Sequence, residues 1–308
     1  MNQPVSLGSV PLEDAKARAA HRTGLIYGVG AYGAWGLLPL YFKLFPGVGP
    51  VEVVAHRIIW SVLFMAIVLL AVRQFPAFTA ALRQPRILGA LTISAVLIAV
   101  NWLVYIWAIN NEHVLAGSLG YFLNPLVNVL IGVVFLKERL RRLQIVAVAI
   151  AGVGVALLAA GELQTLWISI TLAVSFALYG LVRKLTPVQA PVGLAVETLV
   201  LAPPALASLF WFATHGELAF GRHGVETALL IGTGAITSVP LLLFAGAARR
   251  LPLITLGLIQ YIAPSLQFLT GYFLLGEPLS AARLMSFAFI WLALALFVGD
   301  SLRSLRRT

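Results

Sequence analysis

The sequence predicts an all-α membrane protein of ten transmembrane helices, built as two inverted five-helix repeats. Three observations predict it. Of the 308 residues, 60% are hydrophobic and 10% charged, with a mean hydropathy of +0.97. Soluble domains carry about 25% charged residues, so this chain has too little polar surface to cover itself in water. The charges sit in short clusters between apolar runs of the roughly 20 residues that a spanning helix needs. Finally, the second half of the chain repeats landmarks of the first at a near-constant shift.

Residues 1–23 form a polar tail with Glu13, Asp14, Lys16, Arg18 and Arg22. The apolar run after it is too long for the h-region of a cleavable signal, so the tail is read as cytosolic. Span one, 24–44, carries Tyr32 and Trp35 three residues apart. Span two, 51–72, holds His56 and Arg57 near its start. Span three, 86–109, carries Asn101 and Tyr105. Span four, 114–136, carries Tyr121, Asn124 and Asn128 at i, i+3 and i+7, one stripe of a helix, with Pro125 mid-span. Span five, 142–160, is almost featureless. Span six, 163–182, carries Tyr179. Span seven, 191–213, holds Glu197, the only carboxylate well inside a predicted span. Span eight is 225–247. Span nine, 252–275, carries Gln260, Tyr261, Pro264 and Gln267. Span ten, 281–299, precedes a basic tail at 301–308. The runs are too long and uniformly apolar for outer-membrane barrel strands.

The loop charges orient the chain. With the N-terminus inside, cytosolic segments hold 17 of the 21 Lys and Arg, the outer segments hold Lys43, Arg222 and Arg283, and Arg57 lies within a span. That asymmetry puts both termini in the cytosol of a bacterial inner membrane. The net charge of +10 is therefore topological and does not mark nucleic-acid binding, which gathers charge on one face. With no cysteine, disulfides and thiolate chemistry are excluded. The five histidines show no metal-ligand spacing, and no GxxxxGK[ST] appears, so neither a cofactor nor a P-loop ATPase is expected.

A shift of 139 lays Asn101–Leu140 on Pro240–Leu279 with nine of 40 positions identical; five are Leu, so the informative pairs are Ala108/Ala247, Pro125/Pro264, Gly132/Gly271 and Glu138/Glu277. A looser match pairs Trp35-Gly36 with Tyr179-Gly180. The halves run 24–160 and 161–300. Five is odd, so the second half enters from the opposite side. Inverted repeats are the usual build of secondary transporters, with the site near the midplane between halves. The expected function is alternating-access transport, as an exporter of a small metabolite or drug-like molecule, driven by a coupling ion or counter-substrate. The alternatives are a non-transporting membrane binding or signalling protein, and an intramembrane enzyme. The partners expected are the bilayer and a small-molecule substrate.

Several motifs carry a family resemblance: Ala31-Tyr32-Gly33-Ala34-Trp35-Gly36, His56-Arg57-Ile58-Ile59-Trp60-Ser61, Asn101-Trp102-Leu103-Val104-Tyr105-Ile106-Trp107-Ala108, Ser118-Leu119-Gly120-Tyr121-Phe122-Leu123-Asn124-Pro125, and Gln260-Tyr261-Ile262-Ala263-Pro264. Together they resemble the RarD group of EamA transporters, in the drug/metabolite transporter superfamily. The resemblance covers nearly the whole chain after residue 23. It implies ten helices, cytosolic termini and a central cavity. Its members' chloramphenicol-sensitivity label names a phenotype and not a substrate.

Polar side chains inside a bilayer usually face a bundle interior or a wet cavity. The candidate substrate-binding residues are Tyr32, Trp35, Asn101, Tyr105, Tyr121, Asn124, Asn128, Tyr179, Gln260, Tyr261 and Gln267. Amides hydrogen-bond both ways and aromatic faces take flat or cationic groups, although each amide is equally well explained as interhelical glue. The shift pairs Asn128 with Gln267, which are expected to border one cavity. His56, Arg57 and Glu197 are the candidates for gating or coupling; the depths of Arg57 and Glu197 argue against a direct salt bridge. Pro125 and Pro264 are expected to kink their helices. Glu138 and Glu277 are expected to cap loops.

Overall fold

The computed structural model describes residues 10–42, 44, 48–110, 113–159, 164, 166–275 and 281–307. Lys43 and Glu277 fall outside them. Among the described residues the chain is all helix and turn, with no strand. In chain order the helices are α1 (Val10–Phe42), α2 (Pro50–Ala71), α3 (Phe75–Arg83), α4 (Pro85–Asn110), α5 (Val114–Leu136), α6 (Arg142–Ala159), α7 (Leu166–Leu185), α8 (Ala190–Thr214), α9 (Gly224–Ala248), α10 (Leu253–Ile259), α11 (Ile262–Leu275) and α12 (Ala281–Arg307). Among the described residues, six stretches are long and apolar enough to cross a bilayer: α2, most of α4 and α5, and the whole of α7, α8 and α9. Shorter apolar helices cover Arg142–Leu157, Leu253–Gln267 and Leu284–Phe297.

Helix falls within every apolar stretch read from the sequence, but three boundaries move. α1 starts at Val10, inside the predicted tail, and α12 runs through the predicted tail to Arg307. Neither tail carries a Gly or Pro stop next to the apolar run, so the helix continues into the polar flank. The third change is α3, a short helix in a segment read as a loop. Pro76 sits in its first turn, and its Phe75 and Phe78 rings lie 5.7 Å apart.

Predicted span nine is broken. Gln260 and Tyr261 separate α10 from α11, just before Pro264, which cannot donate to the Gln260 carbonyl a turn earlier. In contrast α5 runs through Pro125, α8 through Pro203 and Pro204, and α9 through Pro240, without interruption.

Most packing joins the first half of the chain to the second. α1 and α2 lie on α9, α2 also on α8, α4 on α7 and α8, α5 on α7 and α10, α6 on α12, and α11 on α1. Glycines allow the closest crossings. A Cβ on Gly257 of α10 would sit 2.7 Å from the Pro125 carbonyl oxygen of α5, a contact only a bare backbone permits. Helix ends are tied by side chains. Glu138, just past α5, accepts the backbone N–H groups of Leu253 (2.8 Å) and Ile254 (3.0 Å) at the start of α10, the capping role expected of it. Lys184 donates to the carbonyls of Leu251 (2.5 Å) and Ala248 (3.2 Å) beyond and at the end of α9.

Candidate functional site

The interior of the bundle holds three connected groups of polar and aromatic side chains. The first is an aromatic cluster from α1, α7 and α9. Tyr32 and Trp35 on α1 meet Phe176 and Tyr179 on α7 around Phe244 of α9; Trp35 is 5.7 Å from Phe176, and Tyr179 stacks on Phe244 at 5.7 Å. Tyr32–Trp35 and Phe176–Tyr179 share i,i+3 spacing, which puts each pair on one helix face. Sequence reasoning paired Trp35 with Tyr179 but missed Phe176 and Phe244. The signal was there, since the shift of 139 maps Tyr105 onto Phe244.

The second group surrounds Arg57 of α2. Its Nε donates to Thr237 Oγ1 of α9 at 2.9 Å, and its guanidinium lies over the Trp102 ring of α4, 4.7 Å from the centroid. Tyr105 and Tyr121 pack edge to face at 5.3 Å within electrostatic reach of the same charge. The guanidinium thus meets a hydroxyl and a π face, a lining that suits flat groups and, through the charge, anionic ones. Trp102 belongs here, while Trp107 is 43% exposed and meets Trp167 at 5.3 Å, as an interfacial ring does.

The third group is built on Glu197 of α8. Its Oε1 lies 3.5 Å from Arg183 Nη1 of α7, accepts a short hydrogen bond from Ser94 of α4, and Oε2 accepts from Tyr179 OH at 3.5 Å. Both ion-pair side chains are buried, at 1% and 2% exposure. Arg183 was read from sequence as a cytosolic loop charge. That reading is corrected: it is an interior residue that also donates to the Ala190 carbonyl at 3.2 Å. It fits because Gly193 has no Cβ where the guanidinium lies. A charge at the end of an apolar run looks identical in sequence whether it faces water or folds back inward. Arg57 and Glu197, with Trp102, Tyr179 and Thr237, line one small closed cavity of about 10 Å³, near the least volume that holds a water. The carboxylate's ionic partner is Arg183.

The amides divide. Asn128 of α5 donates to Gln260 Oε1 at 2.8 Å, and Tyr32 OH reaches the same oxygen at 3.5 Å. Gln260 stands at the α10–α11 break, so this contact joins the two halves at their least regular point. Gln267 instead donates to the Trp35 carbonyl at 3.2 Å. The amide that meets Asn128 is thus Gln260. Asn101 spends its amide on the Leu172 carbonyl (2.8 Å) and Ser175 (3.1 Å) of α7, which is interhelical glue. Asn124 is fully buried, and its amide has no hydrogen-bond partner among the described residues; the same holds for Tyr261 OH. Orphaned buried groups of this kind are costly and mark strain, water or ligand sites.

His56 lies apart from these groups. Its ring stacks on Phe220 at 4.8 Å, and Nε2 is 3.6 Å from Glu52 one turn earlier. Glu52 accepts the backbone N–H groups of Ala219 (2.9 Å) and Phe220 (3.1 Å). The pair therefore clasps the α8–α9 turn. Glu52 was passed over in the sequence, although its i,i+4 spacing to His56 signalled the contact.

Known proteins are similar to this chain along most of its length. The EamA-like transporter family matches residues 22–160. Protein RarD of Streptomyces exfoliatus is 47% identical over 95% of this chain and 93% of its own. An uncharacterized transporter of Pseudomonas aeruginosa is 48% identical over 94% of this chain and 98% of its own. A crystal structure superposes with a TM-score of 0.69 at 20% identity, covering 90% of this chain and 96% of that one. At that identity it speaks for the fold alone.

Proposed function

The chain belongs to the RarD group of the EamA-like transporter family, and from that premise we propose that it is a secondary transporter that exports a small metabolite or drug-like molecule by alternating access. The multi-pass bacterial membrane protein would consist of repeats 24–160 and 161–300, with tails 1–23 and 301–308 in the cytosol. The packing pattern supports the inverted repeat. Exchanging α1, α2, α4, α5 and α6 for α7, α8, α9, α10–α11 and α12 turns the α1–α9 contact into α7–α4, α2–α9 into α8–α4, and α5–α7 into α10–α11 on α1, all of which occur. The pairs α2–α8, α5–α10 and α6–α12 map onto themselves.

The observation that carries the reading is the line-up of Arg57 and Glu197 on one interior cavity, each bonded to a hydroxyl from the opposite half. Interior charges in membrane proteins mark transport pathways. The cargo would bind between the Arg57 group and the Asn128–Gln260 bridge, against the rings of Tyr32, Trp35, Tyr105 and Tyr121. Tyr179, Asn124, Tyr261, Asn101 and Gln267 would frame that space, with Pro125 and Pro264 at its flexing points. Glu197 would be the coupling group. Binding a proton there releases Arg183 and Ser94, and so loosens α8 from α7 and α4. His56 would restrain the outer turn.

The test is flux. A compound that raises the melting temperature of the purified protein is loaded into proteoliposomes, and a proton gradient is imposed. Wild type moves it, and Glu197→Gln binds it but does not concentrate it. Gradient-driven flux in the Gln variant equal to wild type ends the coupling role. Absence of flux or exchange for every stabilising compound ends the transporter reading.

A further inference from the structure

A cavity of about 670 Å³ lies outside the groups described above, between α1, α2, α9 and the start of α8 at Gln189, Ala190 and Pro191, within the usual range of ligand pockets of roughly 300–1,000 Å³. Tyr27, Phe64, Val239 and Leu243 form its apolar part, and Arg249 and Arg250 stand at one end. Val239 and Arg249 are ten residues apart on or just beyond α9, about 15 Å along its axis. The pocket is thus graded: apolar at bilayer depth, doubly cationic at the membrane surface where α9 ends. α1 and α2 both lean on α9, yet among the described residues they barely touch each other, and Val239 at the floor is 43% exposed. The gap therefore opens sideways.

The two arginines are held in place without being neutralised. Arg250 donates to the Gly246 carbonyl at 2.8 Å and lies over the Tyr27 ring at 5.3 Å. Arg249 bonds the Val188 carbonyl. Among the described residues no carboxylate lies within ion-pair distance of either. Partial burial, and the Arg183 and Arg250 guanidiniums, lower the pKa of Arg249, as expected where positive charge accumulates.

We propose that this pocket binds one anionic phospholipid, its phosphodiester between Arg249 and Arg250 and an acyl chain along Phe64, Val239 and Leu243. Guanidinium forks match phosphate oxygens, basic pockets between membrane helices take lipid headgroups, and the graded lining matches a lipid and not a free ion. The site is separate from the transport pathway and does not depend on that reading.

The experiment titrates the detergent-purified full chain with phosphatidylglycerol, phosphatidylcholine or glycerol phosphate and follows thermal unfolding. Phosphatidylglycerol raises the melting temperature; the other two leave it nearly unchanged. Each basic side chain at an anionic lipid is worth roughly fivefold in affinity, so Arg249→Gln/Arg250→Gln weakens phosphatidylglycerol roughly thirtyfold, while the double Lys variant retains most binding. Val239→Trp fills the apolar part and also weakens binding, with every charge in place. The proposal falls if phosphatidylcholine stabilises as well as phosphatidylglycerol, if glycerol phosphate alone gives the full shift, or if neither the Gln pair nor Val239→Trp changes the titration.

Discussion

Arg57 and Glu197 occupy nearly equivalent places in the two halves, yet the protein treats them differently. Each takes a hydrogen bond across the halves, Arg57 to Thr237 and Glu197 from Ser94. Beyond that they diverge. Glu197 has a counter-ion from its own half, Arg183, and both are out of solvent. Arg57 is held, among others, by the Thr237 hydroxyl and the ring of Trp102, with Tyr105 and Tyr121 within electrostatic reach. A carboxylate locked to a buried cation is a latch, held firmly until its charge changes. A guanidinium lying on π faces is held by contacts that a flat or anionic cargo can share. The difference teaches that two charges can stand on one interior cavity while the neighbouring helix faces set what each can do.

The comparison breaks most sharply at Arg183. Arg183→Met removes the counter-ion of Glu197 in the interior, and loss of one member of a buried pair costs about 3–5 kcal/mol. Denaturant unfolding in micelles should show that loss, and the double variant with Glu197→Gln should regain most of it. A single variant as stable as wild type would mean that the pair is no latch.

Next are the two hydroxyls. Ser94→Ala and Thr237→Val each remove a hydrogen bond to a charged group, worth about 1.5–3 kcal/mol. Similar losses in the two proteins would establish the cross-half bond as the shared feature; a loss confined to one side would restrict the latch to that half. A smaller effect is expected at Trp102. Trp102→Leu keeps the apolar character near Arg57 but removes a cation–π contact of about 0.5–2 kcal/mol. It should weaken a flat or aromatic cargo in a binding titration while leaving the Glu197 end unaffected, and unchanged cargo affinity would separate the ring from the site. Smallest of all is Gln267→Leu, which removes a neutral hydrogen bond to the Trp35 carbonyl at about 0.5–1.5 kcal/mol. Melting should register it and cargo affinity should not, whereas Asn128→Leu should lower both.

Much of this molecule was legible in the chain alone. Apolar runs and basic clusters announced the helices and their order. The motifs around Tyr32, Arg57, Asn101, Tyr121 and Gln260 carried the family, and the shift of 139 pointed to the residues that gather inside. The sequence named two of the interior charges, Arg57 and Glu197, because a charge within a long apolar run stands out whatever it touches. It also expected a kink at Pro264, four residues past Gln260, and equally at Pro125, through which α5 runs on.

Partners were not legible. Arg183 has the sequence signature of a loop charge, and only the return of α8 alongside α7 turns it inward, over a glycine that leaves room for it. Asn128 was expected to share a cavity with Gln267, and nothing in the sequence said that its hydrogen-bond partner is Gln260, at the break between α10 and α11. The basic end of the α1–α2–α9 pocket looked like ordinary topology signal until three helices left a gap beneath it. Periodicity and hydropathy act along one helix and are therefore written in local sequence. Which two side chains meet depends on crossing angles, helix phase and close approach between segments more than a hundred residues apart, and those are decided only when the helices pack.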